Sequence, residues 1–313
     1  MKNKYKAFSS KRQFGVEFEL SNNLHTAELT KILTAASPDR QVVGHECWAQ
    51  TENGNNYWHI KRDSTCGPEG KTKDIEKYGY EVASYVGKGI KDVLHMGKVA
   101  NKLKKSGAVI NDHCGIHIHV SADNLTPEQI GVIMAYWVKV ERTMFESCPK
   151  IRRKNKYCRP LRRKVPVNLK LTPMEFWDQI KPENLSVHEN EDKKVSINTV
   201  GFASSQQKFH GGKNTLELRM PEATLDRKDV VNWIRMYLNF IHATEKAEMP
   251  LSRRVAGVKD TLQILGLHGV QNFFVLSKGL HNTKMWFLNR IVRYSDNARL
   301  VKEAKKLIKD SLL

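Results

Sequence analysis

Three short stretches of the chain alternate between apolar residues and residues that carry chemistry. They are Gly15-Val16-Glu17-Phe18-Glu19-Leu20, Gly115-Ile116-His117-Ile118-His119-Val120 and Thr215-Leu216-Glu217-Leu218-Arg219-Met220. A period of two predicts a strand, with apolar side chains on one face and functional ones on the other. The first stretch falls in a strand predicted over residues 13–20. Helical spacing appears over residues 85–105 and stops at Ser106-Gly107. Thr126-Pro127-Glu128-Gln129 is a capping box with proline at the first helical position, opening an apolar helix to about Cys148. Thr172-Pro173-Met174-Glu175 repeats that grammar before a shorter helix. Asp226 is placed to cap a long helix from Val230 to about Lys246, with Val230, Ile234, Tyr237, Leu238 and Ile241 on one face. Between these elements, Gln41 to Trp48, a turn at Glu52-Asn53-Gly54-Asn55 and Asn56 to Arg62 read as a hairpin. Beyond Leu251 the pattern is helical. A boundary near Pro250 gives a domain over 1–250 and a basic helical extension over 251–313 packed on it.

An ordinary half-exposed strand accounts for any one of the alternating stretches alone. Together they are less ordinary. A shared sheet would carry Glu17, Glu19, Glu217, His117, His119 and Arg219 on its polar face. Carboxylates left together repel and raise one another's pKa unless cations sit among them. Such clusters suit hard ions such as Mg²⁺ or Mn²⁺, and Mg²⁺ usually arrives with phosphate. A guanidinium adds planar, bidentate phosphate contact.

Composition bounds the reading. The 313 residues suffice for a real core, and 40% hydrophobic with 27% charged residues is a globular balance. The net charge of +19 predicts affinity for polyanions, either nucleotide phosphates, nucleic acid or acidic peptides. The longest apolar run, near Ile130 to Val138, is too short to span a bilayer, so no membrane segment is expected. Lys2, Lys4, Lys6, Lys11 and Arg12 precede no apolar stretch, which is not the pattern of a secretory signal. Five cysteines with no CxxC pair fit a reduced, cytoplasmic protein better than a disulfide scaffold.

An ordered set of motifs adds a family resemblance. Gly15-x-Glu17-x-Glu19, Arg62-Asp63-Ser64, Gly79-Tyr80-Glu81-Val82-Ala83-Ser84, Gly115-x-His117-x-His119-x-Ser121, Tyr157-Cys158-Arg159-Pro160-Leu161 and Glu217-x-Arg219 cover roughly residues 13–245. In this set the chain resembles the amidoligases, ATP-dependent carboxylate–amine ligases related to glutamine synthetase and glutamate–cysteine ligase. The resemblance implies an α+β, glutamine-synthetase-like fold, a mostly antiparallel twisted sheet forming a half-barrel flanked by helices. It implies ATP and Mg²⁺, or Mn²⁺, as cofactors. It assigns the metal ions to Glu17, Glu19, Glu81, His117 and Glu217, and nucleotide phosphate to His119 and Arg219. Arg159 is carried over for the carboxylate or phosphate side, and Asp63 for the amine. Glu81 is the one convincing glutamate between the first strand and the histidine strand, which leaves a third metal position thinly supplied. The implied chemistry is amide formation through an acyl phosphate, with unknown carboxylate and amine substrates, acidic or nucleic-acid-linked among the classes the charge suggests.

Two other readings stand beside it. Residues 150–164 hold nine Lys or Arg and no acid. Such a run is commonly a solvated loop; it also suits an electrostatic funnel beside Arg159 or a nucleic-acid contact with Tyr157 stacking. A nucleic-acid-binding protein on an inactive ligase scaffold is therefore the alternative. A zinc hydrolase using His117, His119 and a carboxylate is the weaker one; Cys114 has the opposite strand parity to these histidines. Gly67-Pro68-Glu69-Gly70-Lys71-Thr72 resembles a P-loop only superficially, because two residues separate the glycines where four are required. Trp137, Met134 and Tyr136 read as core, and Cys114 as a buried small residue.

Overall fold

A computed structural model describes residues 12–21, 23–44, 56–163, 165, 171–183, 193–206, 214–250, 254–269 and 275–312. The chain divides into two compact units. One comprises Lys11–Val120 with Pro221–Ile234, and the other comprises mainly Ser121–Met220 and Arg235–Leu313.

The first unit is built on a sheet. Its strands are β1 (Gln13–Leu20), β2 (Gln41–Val43), β3 (Tyr57–Asp63), β4 (Gly79–Ala83), β5 (Gly87–Lys88) and β6 (Ile116–Ser121). Their order is β2-β3-β4-β1-β6, with β5 also paired to β1. Every pairing but β2–β3 is antiparallel. Among the described residues, α1 (Thr26–Ala36) and α2 (Gly89–Lys105) belong to it. Alternation builds the core face: Phe14, Val16, Phe18 and Leu20 of β1, Ile116, Ile118 and Val120 of β6, Trp58 and Ile60 of β3, and Tyr80 and Val82 of β4 are all buried. The α2 stop at Ser106-Gly107 has its physical reason in Gly107, whose φ of 90° suits a residue without Cβ.

The expected hairpin is corrected here. β2 and β3 run parallel, with Gln41 beside Tyr57 and Val43 beside His59. A parallel pair cannot be closed by a tight turn. The antiparallel partner of β3 is instead β4, which the Gly67–Thr72 loop precedes. The proposed turn at 52–55 lies outside the described residues.

The second unit is mostly helical. It contains α3 (Pro127–Glu146), α4 (Lys150–Arg153), α5 (Pro173–Ile180), α6 (Val200–Gln206), α8 (Val258–Ile264), α9 (Val275–Tyr294) and α10 (Ala298–Leu312). α7 (Arg227–Thr244) begins among the residues of the first unit and ends among those of the second. Both expected capping boxes form, at Thr126 with Gln129 and at Thr172 with Glu175. Asp226 caps α7 by accepting from the backbone N–H groups of Lys228 and Asp229. α3 meets α5 closely enough that a Cβ on Gly131 would lie 2.0 Å from the Pro173 carbonyl oxygen. The strands of this unit are a short antiparallel pair, β7 (Ile197–Asn198) and β8 (Thr215–Leu218). Among the described residues, no helix is long and apolar enough to cross a membrane. Among the described residues, Cys66, Cys114, Cys148 and Cys158 are buried and form no disulfide, and Trp137, Met134, Trp286 and Phe287 are core.

Candidate active site

On the polar face of the first unit's sheet, register does the assembling. Glu17 pairs with His117 and Gly15 with His119 across β1–β6, while Glu19 faces Glu81 across β1–β4. Residues opposite one another share a face, so the strand periods deliver these five side chains to one side. The side chains then interlock. His119 Nε2 lies 3.1 Å from Glu17 Oε1, and His117 Nδ1 lies 3.3 Å from Glu17 Oε2. His117 Nε2 in turn lies 3.4 Å from Glu19 Oε1. The result is a ladder of alternating imidazole and carboxylate, His119–Glu17–His117–Glu19. It is nearly dry: His117 is 2% exposed and each glutamate 7%. The second oxygen of Glu19 accepts from the Gly115 N–H at the start of β6.

The donor set fits a divalent ion. Two carboxylates and two imidazoles gathered this closely out of water make a ligand group in which a cation would offset both charges. Imidazole is an uncommon Mg²⁺ ligand and a tolerable Mn²⁺ ligand. Glu81 lies next in the row, but its carboxylate meets Lys61 Nζ at 3.2 Å. Lys61 faces Glu81 across β3–β4. It escaped the sequence reading because it carries no motif, although the alternation of Trp58, Ile60 and Lys61 placed it on the polar side.

Asp63 ends β3 and forms a tight Asx turn, its Oδ1 accepting from Thr65 N at 2.6 Å and Thr65 Oγ1 at 2.7 Å. Cys66 follows, wholly buried. A hydrogen bond with the Cys114 thiol, then burial, then the charges of Glu19 and Asp63 push the Cys66 thiol far above its ordinary range, so it is protonated. The Gly67–Thr72 stretch is a loop, with Thr72 N donating to Ser64 O at 3.0 Å, and forms no P-loop.

The second unit holds the remaining residues. Glu217 of β8 faces Asn198 of β7. Its carboxylate accepts short hydrogen bonds from Asn198 Nδ2 and from the Arg219 guanidinium. Arg219 is further held by its Nε donating to Tyr157 O at 3.3 Å and its backbone N–H donating to Ser196 O at 2.9 Å. Arg159 lies beside Val195 in an isolated bridge, donating from N to Lys194 O at 2.9 Å and accepting at its O from Ser196 N at 2.8 Å. Ser196 therefore ties Arg159 and Arg219 to one backbone segment. The Tyr157 ring receives the ammonium groups of Lys156 and Lys194 at 5.2 and 5.8 Å. Tyr237 of α7 is buried, and burial first, then the Glu217 charge, keeps its phenol protonated.

Beneath this segment sits a residue that the sequence did not single out. Glu141 of α3 is fully buried. It accepts from Leu161 N at 2.6 Å, from Arg162 N at 3.0 Å, and from the Ser196 hydroxyl. Ser196 Oγ also accepts from Trp137 Nε1 at 2.9 Å. Burial pushes the Glu141 carboxyl above its usual range, against hydrogen bonds that act the other way. The signal available for it was its place at helical spacing between Trp137 and Met144, on the apolar side of the helix.

The basic run beside Arg159 is not all free field. Arg152 is 3% exposed and donates to the carbonyls of Met220 and Arg219 at 3.2 and 2.7 Å. Arg153 pairs with Glu146 at 3.0 Å and Asp296 at 3.6 Å. These two cations serve as internal struts for a segment whose backbone carbonyls point inward.

A family model described as "Putative amidoligase enzyme" matches residues 10–241. No curated protein matches the chain.

Proposed function

Because this chain belongs to the amidoligase enzyme family, we propose that it is an ATP-dependent ligase that joins a carboxylate to an amine through an acyl phosphate. The observation that carries the proposal is the buried ladder His119–Glu17–His117–Glu19. A carboxylate does not condense with an amine in water until one of its oxygens becomes a leaving group. In the proposed reaction the substrate carboxylate attacks the γ-phosphorus of ATP, and the bond from that phosphorus to ADP breaks. The amine nitrogen then attacks the acyl carbon, and phosphate leaves with the original carboxylate oxygen. Phosphoryl transfer of this kind needs positioning and charge neutralisation rather than a protein nucleophile.

Glu17, Glu19 and His117 would hold Mg²⁺ or Mn²⁺, which supplies charge neutralisation at the phosphates when bound. Glu81, paired with Lys61, is a candidate for a further ion. The family resemblance assigns Glu217 to the metals, and His119, Arg219 and Arg159 to phosphate. Asp63 takes the proton shed by the amine. A glutamine-synthetase-like half-barrel is the fold this reading entails. The +19 charge supports an anionic co-substrate, an acidic or nucleic-acid-linked carboxylate included. Buried cysteines outside disulfides support a reducing, cytoplasmic setting.

The test uses the purified full chain with Mg²⁺ or Mn²⁺, ATP and a panel of carboxylates and amines. ADP release that depends on the carboxylate, with one labelled carboxylate oxygen recovered in phosphate, is the expected result. A folded protein that binds no ATP with either ion would overturn the reading. Salt-dependent binding to nucleic acid by that same inert protein would favour the alternative of a nucleic-acid-binding protein.

A further inference from the structure

A second set of ligand-type atoms comes together at the end of β3. Glu19, Asp63 and Cys66 each offer one atom, and the three atoms lie within 4.8 Å of one another. The set is neither all acidic nor a lone thiol, and each member is fixed from behind. Asp63 is held by Thr65 through Oδ1, and Glu19 by Gly115 N through Oε2. Cys66 is locked by its backbone: its carbonyl accepts from Asn111 Nδ2 at 3.3 Å, while a Cβ on Gly79 would lie 2.7 Å from Cys66 Cβ. Among the described residues, no lysine or arginine pairs with Glu19 or Asp63. Asp63 is half-buried, so the set opens outward on its side.

Two carboxylates and a thiol held this close, with His117 beside Glu19, make a mixed oxygen and sulfur donor set. The sulfur decides which kind of cation suits it. Mg²⁺ and Ca²⁺ take oxygen ligands and gain little from a thiolate, whereas Zn²⁺ and Co²⁺ bind sulfur and carboxylate together.

We propose that Glu19, Asp63 and Cys66 form a thiolate-bearing site for a Zn²⁺-class ion, separate in chemistry from the hard-ion ladder beside it. On binding, a metal–sulfur bond forms and the Cys66 thiol proton leaves to solvent. Cys114, hydrogen-bonded to Cys66, is a neighbour of the site and not a ligand. Glu19 is the residue shared with the ladder, through its 3.4 Å contact to His117.

Co²⁺ titration of the metal-stripped full chain reads the site directly, through sulfur-to-cobalt charge-transfer absorption. The expected result is a saturable band that Zn²⁺ abolishes and excess Mg²⁺ leaves unchanged. Cys66→Ser removes the band and Cys114→Ser keeps it. Asp63→Asn, at the open rim, weakens Co²⁺ binding by at least about 10-fold. No band in the wild type, a band surviving in folded Cys66→Ser, or unweakened binding by folded Asp63→Asn would overturn the proposal. The readout needs no ATP, so failure of the ligase reading leaves the band in place, and absence of the band from the wild type leaves the ligase reading standing.

Discussion

Charge is organised differently in the two units. In the first, strand register places it: Glu17 meets His117 because they are direct partners across β1–β6, and Glu19 joins through the other ring nitrogen. Acids and imidazoles meet side chain to side chain. In the second, backbone places the charge. Arg219, Arg159 and Arg152 all donate to main-chain carbonyls, and the segment supplying several of these hangs from Glu141. The first arrangement depends on each side-chain partner. The second tolerates an exposed cation's loss but depends on one buried carboxylate beneath it. The lesson is that a functional group can be fixed by its own side-chain neighbours or by the loop that carries it, and mutations separate the cases.

The largest expected effect comes from the ladder. Glu17→Ala or His117→Ala should lower ATP turnover by about 10³-fold or more while circular dichroism and thermal unfolding show a folded protein. Turnover within a few-fold of wild type in either variant would break the ladder's assignment. A smaller loss is expected on the other side. Arg219→Lys keeps the charge but loses the planar fork that reaches Glu217 and the Tyr157 carbonyl, so turnover should fall about 10²-fold. If lysine served fully, point charge would be the requirement and the backbone tether would be incidental.

The difference between the units also explains how much could be read from sequence. Alternation alone exposed Glu17, Glu19, His117, His119, Glu217 and Arg219, because a strand converts order directly into facing. The capping boxes at Thr126 and Thr172 were legible for a similar reason, since each closes within four residues. Pairing over distance was not. The choice of β4 rather than β2 as the antiparallel partner of β3 is a tertiary decision that no local pattern contains. Glu141 was hidden because a glutamate on a helix ordinarily faces water, and only the arrival of Leu161, Arg162 and Ser196 makes its burial tolerable. Cys66 and Asp63 follow one another closely in sequence, but Glu19 joins them only through the fold.

Glu141→Ala sharpens the contrast at the level of stability. It strands the buried Leu161 N–H and the half-buried Arg162 N–H, and leaves the Ser196 hydroxyl only the Trp137 indole. About 2 kcal/mol of unfolding free energy should be lost in urea denaturation. Any nucleotide-binding defect should arise through displaced Arg159, and so appear in KM more than in kcat. A variant as stable as wild type would show that the loop holds itself without the glutamate.

The smallest effect is a pH dependence. Burial raises the Glu141 carboxyl in the folded state above its unfolded value of about 4.3, so the folded protein binds the extra proton. Stability is then unpenalised below the unfolded pKa. It falls as pH rises through the interval up to the folded pKa, and the full penalty persists above it. Glu141→Gln cannot titrate, so the stability of wild type minus that of the variant should decrease as pH rises from the ordinary carboxylate range. Subtracting the variant cancels the slopes of the other groups. A difference that stays flat or grows between pH 5 and 8 would mean that the three donors outweigh burial and that Glu141 remains ionised in the folded protein. Its hold on the Arg159 segment would then be that of a carboxylate anion, making the second unit electrostatically more like the first.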